Sequence, residues 1–285
     1  MVESMKTTNH ASSQSQLVTI PNYQAGATLL VVLLFLVLIM LAGVIAVKQS
    51  TTNLKTATAD QINTLLLQAA DSGHQKLEAM LNGKSSTEGY QEITSASGAI
   101  GYFLLSSDNN NNEFIYCYNP REKKYLAKNA TILTSTGGYW SNLNYGYCDY
   151  TDANSYISAR QTAMTQMSVT VIKPDINAEP FSHFTIGKEV ENRTSQKFKF
   201  NVKALSALPA YAEPKDASGN NCFAKSSVVS GGVTPTLDCM RNANTPSKMI
   251  YEQADVENMS SATQCIPFGR GSLSESCTLT TPSSP

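Results

Sequence analysis

Six cysteines carry most of the chemistry open to this chain: Cys117, Cys148, Cys222, Cys239, Cys265 and Cys277. Successive cysteines lie 31, 74, 17, 26 and 12 residues apart, and no Cys-x-x-Cys occurs. The three histidines, His10, His74 and His183, stand away from any cysteine pair. Zinc centres need clustered thiolate and imidazole ligands, so the spacing argues against one and no metal is expected. An even number of cysteines on one side of an apolar segment suits disulfides made in an oxidising compartment. Pairing of sequence neighbours is favoured: Cys117–Cys148, Cys222–Cys239 and Cys265–Cys277.

Other chemistry finds less support. Asp108 to Glu113 offers oxygen ligands but lacks the spaced acidic pattern of a calcium loop, and reads as a solvated turn. No Gly-x-Ser-x-Gly, no Cys–His context and no phosphate-cradling glycine loop is present. His74 is expected at the surface. No catalytic residue, enzyme activity or cofactor is expected. Net charge is −1 with 15% charged residues and no basic stripe, so no direct nucleic-acid contact is expected. The segment holding Tyr139, Trp140, Tyr145 and Tyr147 is dense in aromatics and contains the only tryptophan. Such residues often anchor binding surfaces. The plainer reading, aromatics packed around Cys148, is the favoured one.

These residues are positioned by a chain organised around Ala25–Val47, 23 residues without a charge. As a helix this run is roughly 35 Å long, enough to cross a bilayer with some tilt. Leu29, Val31, Leu33, Phe35, Gly43 and Val47 lie along it. It is too long for a signal-peptide core, and no Ala-x-Ala site closes it. The polar stretch 48–61 contains no Pro or Gly, so the helix continues. Leu54, Ala57, Ile62, Leu65, Leu66, Ala69, Ala70, Gly73, Leu77, Met80 and Leu81 then recur at spacings of three and four, one apolar stripe. Asn82-Gly83 supplies the stop. Thr51, Thr52, Thr56 and Thr58 make a weak spot where fraying is expected.

Beyond Gly89 the pattern shifts to short β-branched and aromatic runs. Strands are expected at 100–105, 113–118, 125–127, 130–134, 168–172 and 197–205, with a short helix within Ala153–Met167. Phe198, Phe200 and Val202 alternate with lysines, as in a half-buried antiparallel strand. After Ala207 the chain is rich in Pro, Gly and Ser and reads as loops stapled by disulfides. The expected division is a leader at 1–26, a long helix at 27–82, a mostly β globular part at 83–206, and a disulfide-rich region at 207–285 ending in a mobile Ser/Thr/Pro tail. The expected fold class is α+β, a long N-terminal helix packed on an antiparallel sheet.

The junction Gln24-Ala25-Gly26, the apolar run from Ala27, and the later Gln61 and Leu65-Leu66-Leu67-Gln68-Ala69-Ala70-Asp71 resemble the N-terminal region of PilX-type minor pilins of type IV pili. The resemblance covers residues 24–80. Ala25 stands where those proteins have Arg or Gln, and Asp71 stands for a glutamate. The resemblance implies that a prepilin peptidase cuts between Gly26 and Ala27, and that the mature subunit waits in the bacterial inner membrane with its C-terminal domain in the periplasm. It implies the major pilin and other minor pilins as partners, and a final place at an extracellular pilus tip. Major pilins carry a glutamate five residues after the cut, where this chain has Val31. That departure implies a priming or tip subunit supporting piliation, twitching motility, adhesion or DNA uptake. Two alternatives stay open. One is a tip adhesin or binding module that uses the aromatic segment or the C-terminal disulfide-rich part on a host or surface receptor. The other is a membrane-anchored periplasmic protein, including a minor pseudopilin of a type II secretion system.

Overall fold

The computed structural model describes residues 25–84, 86–95, 97–105, 107–121, 129–139, 146–172 and 197–257. The leader up to residue 24, the expected strand at 125–127, Trp140, Tyr145, Cys265, Cys277 and the C-terminal tail lie outside the described residues. The chain divides into two units, Met1–Thr58 and Ala59–Pro285.

The first unit is helical from Ala25, where helix α1 (Ala25–Leu81) begins. Every residue from Ala27 to Gln61 is exposed. Among the described residues α1 is the one helix long and apolar enough to cross a membrane. The threonine cluster remains helical. Thr51 and Thr52 donate their hydroxyls to the Lys48 carbonyl, Thr56 to Thr52 and Thr58 to Leu54, at 2.9–3.1 Å. This back-bonding satisfies the hydroxyls within the helix and slightly weakens it.

The second unit is built on a five-stranded antiparallel sheet: β1 (Glu113–Tyr118), β2 (Ala130–Leu133), β3 (Met164–Ile172), β4 (Lys197–Ala207) and β5 (Ser247–Glu257), in the order β2-β1-β3-β4-β5. The expected antiparallel sheet under a long helix is therefore present. β1 buries all six of its residues, because both faces of the sheet are covered. Phe114, Tyr116, Met167, Val169, Phe200, Val202 and Ala204 face a core that includes Ala70, Leu77 and Met80 of α1. Ile115, Cys117, Met164, Leu205 and Ala207 face the other way, onto Cys148, Cys222, Phe223, Cys239 and Met240. Alternate side chains of a strand point to opposite faces, so each strand feeds both cores.

The buried stripe of α1 runs through Leu66, Ala69, Ala70, Gly73, His74, Leu77 and Met80. It starts later than the sequence pattern implies: Leu54 is 69% exposed and Leu65 41%. Gly73 lets the helix lie close to the sheet: a Cβ there would sit 2.5 Å from Met167 Sδ, so the methionine side chain would have to move. Asn82 and Gly83 end the helix, donating their backbone N–H groups to the Glu78 and Met80 carbonyls.

Three local expectations are corrected. The run 100–105 is not a strand but a short helix, α3 (Gly101–Leu105), which follows α2 (Glu88–Thr94). The cause is tertiary. Gly98 and Gly101 let the chain lie against the carbonyls of residues 92–95, where a Cβ would strike the backbone, and Ile100 N–H donates to the Ile93 carbonyl. Residues 153–167 hold only a 3-10 turn at Ala153–Ser155, capped by Asp152, before β3 begins at Met164. The segment after Ala207 is not loops alone. It contributes α4 (Pro235–Asn242), with Pro235 at its start, and the 11-residue β5, which pairs with β4 along its whole length.

Candidate functional site

The described residues hold four features with functional potential. The first is the N-terminal half of α1. Gly26 and Ala27 stand in its first turn. Leu29, Leu33 and Phe35 are 68%, 57% and 57% exposed, and Val31 and Val47 are 49% and 64%. A Cβ on Gly43 would meet nothing within 4 Å. None of the described residues covers this surface. Transfer of such side chains out of water is worth about 1.5–3 kcal/mol each, so covering this surface with an apolar environment is favourable.

The second is the aromatic segment with its disulfide. Cys117 of β1 is bonded to Cys148, and Cys222 is bonded to Cys239 of α4; both are pairs of sequence neighbours. Tyr147 is 8% exposed and packs beside Cys148 and Cys117. Tyr139, half-buried, lies against it with ring centroids 5.6 Å apart. Burial pushes the Tyr147 hydroxyl up to about 12, with Asp149 adding to the rise. Burial likewise raises Tyr139, with further contributions from Tyr147 and Glu113. Tyr147 thus offers no free ring as a binding surface. It belongs to the packing around Cys148.

The third feature was not signalled as a site by the sequence. Glu113, read there as part of a solvated turn, is 2% exposed. Its carboxylate accepts hydrogen bonds from the hydroxyls of Ser168, Ser226 and Ser227 and from the Ser227 backbone N–H, the last at 3.0 Å. Lys203 donates to the Ser227 carbonyl at 2.7 Å, and burial lowers its pKa against the opposing pull of Glu113. A buried carboxylate is tolerated when its lone pairs are satisfied in this way. The group clamps the 226–227 segment onto β1 and β3, a structural rather than a catalytic arrangement. The one available signal was parity: Glu113 shares a face with Ile115 and Cys117.

The fourth is a cleft of about 450 Å³ between the last turns of α1 and β5, with His74, Glu78, Leu81, Tyr90, Glu252 and Val256 in its walls. His74 is not a surface residue as expected but 5% exposed. Its position four residues after Ala70 and three before Leu77 puts it on the buried stripe. His74 Nδ1 lies 2.8 Å from Glu252 Oε2, out of line for a hydrogen bond, and Nε2 has no hydrogen-bond partner. Lys248 Nζ donates to Asn63 Oδ1 at 2.8 Å, a second polar tie between β5 and α1.

Among the described residues no group of three or more His, Cys, Asp or Glu is placed to share a metal ion. No family model matches the chain, and no curated protein or solved structure shows significant similarity to it.

Proposed function

We propose that this protein is a membrane-anchored, pilin-like subunit of the minor class, which primes or caps a type IV pilus. One observation carries the reading. A single helix, α1, has a wholly exposed apolar beginning and an end buried on a five-stranded antiparallel sheet. An apolar surface that none of the described residues covers suits lipid at one stage and neighbouring helices at another. A pilin makes that exchange on leaving the membrane for the filament. Gly26 at the start of α1, and Val31 where a shaft subunit carries glutamate, support a processed tip or priming subunit over a shaft subunit.

In this role the protein is interfacial and mechanical. Prepilin peptidase removes residues 1–26, Ala27–Val47 anchors the subunit in the inner membrane, and the sheet domain stands in the periplasm. The major pilin and other minor pilins are its partners in assembly. Disulfides in the exported part resist unfolding under load and proteolysis.

The deciding experiment is N-terminal sequencing of the protein from cells with and without prepilin peptidase. A mature chain starting at Ala27 only when the peptidase is present is the expected result. An uncut N-terminus in both strains would overturn the pilin reading and leave a single-span membrane anchor.

A further inference from the structure

We propose that the cleft between α1 and β5 receives an arginine side chain of a partner protein, carried on an extended segment that adds to the outer edge of β5. The inference is independent of the pilus reading, because the cleft and β5 lie wholly within the unit Ala59–Pro285.

Among the described residues, charge in the cleft has one sign. Glu252 on β5 and Glu78, one helical turn after His74, supply carboxylates, and no described lysine or arginine lines the walls. Asp255 also borders the cleft, but strand alternation directs its side chain to the opposite face, where it is paired in register with Lys199. His74 provides the independent sign of a missing ligand. Its imidazole is buried, yet Nε2 has no partner. Glu252 lies beside Nδ1, and an imidazole with its proton on that side presents Nε2 as an acceptor. A buried acceptor without a donor is costly, and a donor from outside removes that cost. The remaining walls are Leu77, Leu81, Val256 and the ring of Tyr90. Carboxylates, an acceptor nitrogen and an aromatic face above an apolar floor suit a guanidinium and its aliphatic stem.

The edge of the sheet says how that side chain arrives. β5 is 11 residues long and, among the described residues, pairs only with β4. An unpaired edge of this length is a template for strand addition. A segment added there places alternate side chains on the α1 face, beside Glu252, Ala254 and Val256.

The test uses the full chain in detergent micelles and fluorescence anisotropy. The probe is a labelled synthetic peptide of alternating threonine and valine with one central arginine. Its counterpart carries citrulline, the neutral isostere, in place of arginine. The arginine peptide should bind about ten-fold more tightly than the citrulline peptide, the scale of one charge-assisted hydrogen-bond pair. Glu252→Gln should bring the two peptides level. Glu252 is 44% exposed in its side chain, so this change leaves the fold intact, and an unchanged unfolding midpoint checks it. Equal affinity for both peptides, no binding at millimolar peptide, or indifference to Glu252→Gln would each overturn the proposal. Binding that appears only after residues 258–285 are removed would make the chain's own C-terminal segment the occupant. Concentration-dependent dimerisation lost in Glu252→Gln would make it a second copy. Either result replaces the proposed partner.

Discussion

Thr165 of β3 donates its hydroxyl to the Ala69 carbonyl of α1 at 3.1 Å, and its oxygen lies 2.7 Å from the Ser206 hydroxyl of β4. Both hydroxyl-bearing residues are fully buried. One side chain thus joins the long helix to two strands. Thr165→Val keeps the shape, removes the donor and leaves Ser206 without its acceptor. It should destabilise the sheet domain by about 1–3 kcal/mol, measured by denaturant unfolding of the full chain in detergent. Adding Ser206→Ala should recover part of the loss, because the orphaned hydroxyl is then gone. Unfolding midpoints that do not move in the single variant would show that the contact contributes nothing.

Gly101 sits where any side chain meets the backbone around Ser95. A flexible side chain can yield to such a clash, whereas a carbonyl inside a packed turn moves only with its element. Gly101→Ala should therefore cost about 2–3 kcal/mol, although alanine is the better helix former by itself. Thermal unfolding of the variant checks this, and a gain in stability would refute the packing account of α3.

That glycine also marks where the sequence misleads. Residues 100–105 look like a strand because they are apolar and aromatic. They form a helix because two glycines let the chain turn back on α2. The elements legible in advance were α1 by its periodicity, β1 and β2 by their β-branched and aromatic runs, and β4 with the second half of β3 by alternation, whereas residues 164–167 of β3 fell in the expected short helix. β5 was missed for a different reason. As an edge strand it buries little beyond Val256, so Glu252, Gln253 and Asp255 interrupt the alternation that would reveal it. α4 was legible in Pro235 at its first turn, but eight residues leave little periodicity to read. Of the cleft, only His74 carried a sequence signal. Glu252 becomes its neighbour through β5 pairing to β4, a contact that no local pattern encodes.

Asp216 is held well below the ordinary carboxylate range, to about 2. The largest cause is Lys225, whose Nζ lies 3.0 Å away, followed by hydrogen bonds from Asn220 and the Ser218 backbone N–H. A depressed pKa stabilises the folded turn above the ordinary carboxylate value, 3.8. That contribution is lost as pH falls through about 2. Lys225→Met should move the Asp216 midpoint upward and shift the loss of order in the 213–225 turn to higher pH. Carboxyl carbon NMR titration reads both. An unmoved midpoint would mean the turn's own amides suffice.

Nothing among the described residues lies within 4 Å of a Cβ placed on Gly43. Gly43→Ile should leave the unfolding midpoint of the sheet domain unchanged and retain membrane insertion, since the change adds apolar surface. Where α1 meets a neighbouring helix closely, the added branch holds the backbones apart. If the protein assembles as proposed, its recovery in detergent-extracted assemblies should then fall several-fold. Full recovery would show that Gly43 faces lipid or a loose contact.

The bond between Cys117 and Cys148 closes a covalent ring of the chain between those positions. A protease that cuts once inside the ring produces two polypeptides that remain one molecule. Mass and migration on a non-reducing gel hardly change, and the fragments separate only when the bond is reduced. β2 lies within the ring, β1 enters it only with its last two residues, Cys117 and Tyr118, and β3 begins beyond it. A single nick there opens the chain without freeing either strand from its tether. Damage of this kind is retained rather than shed.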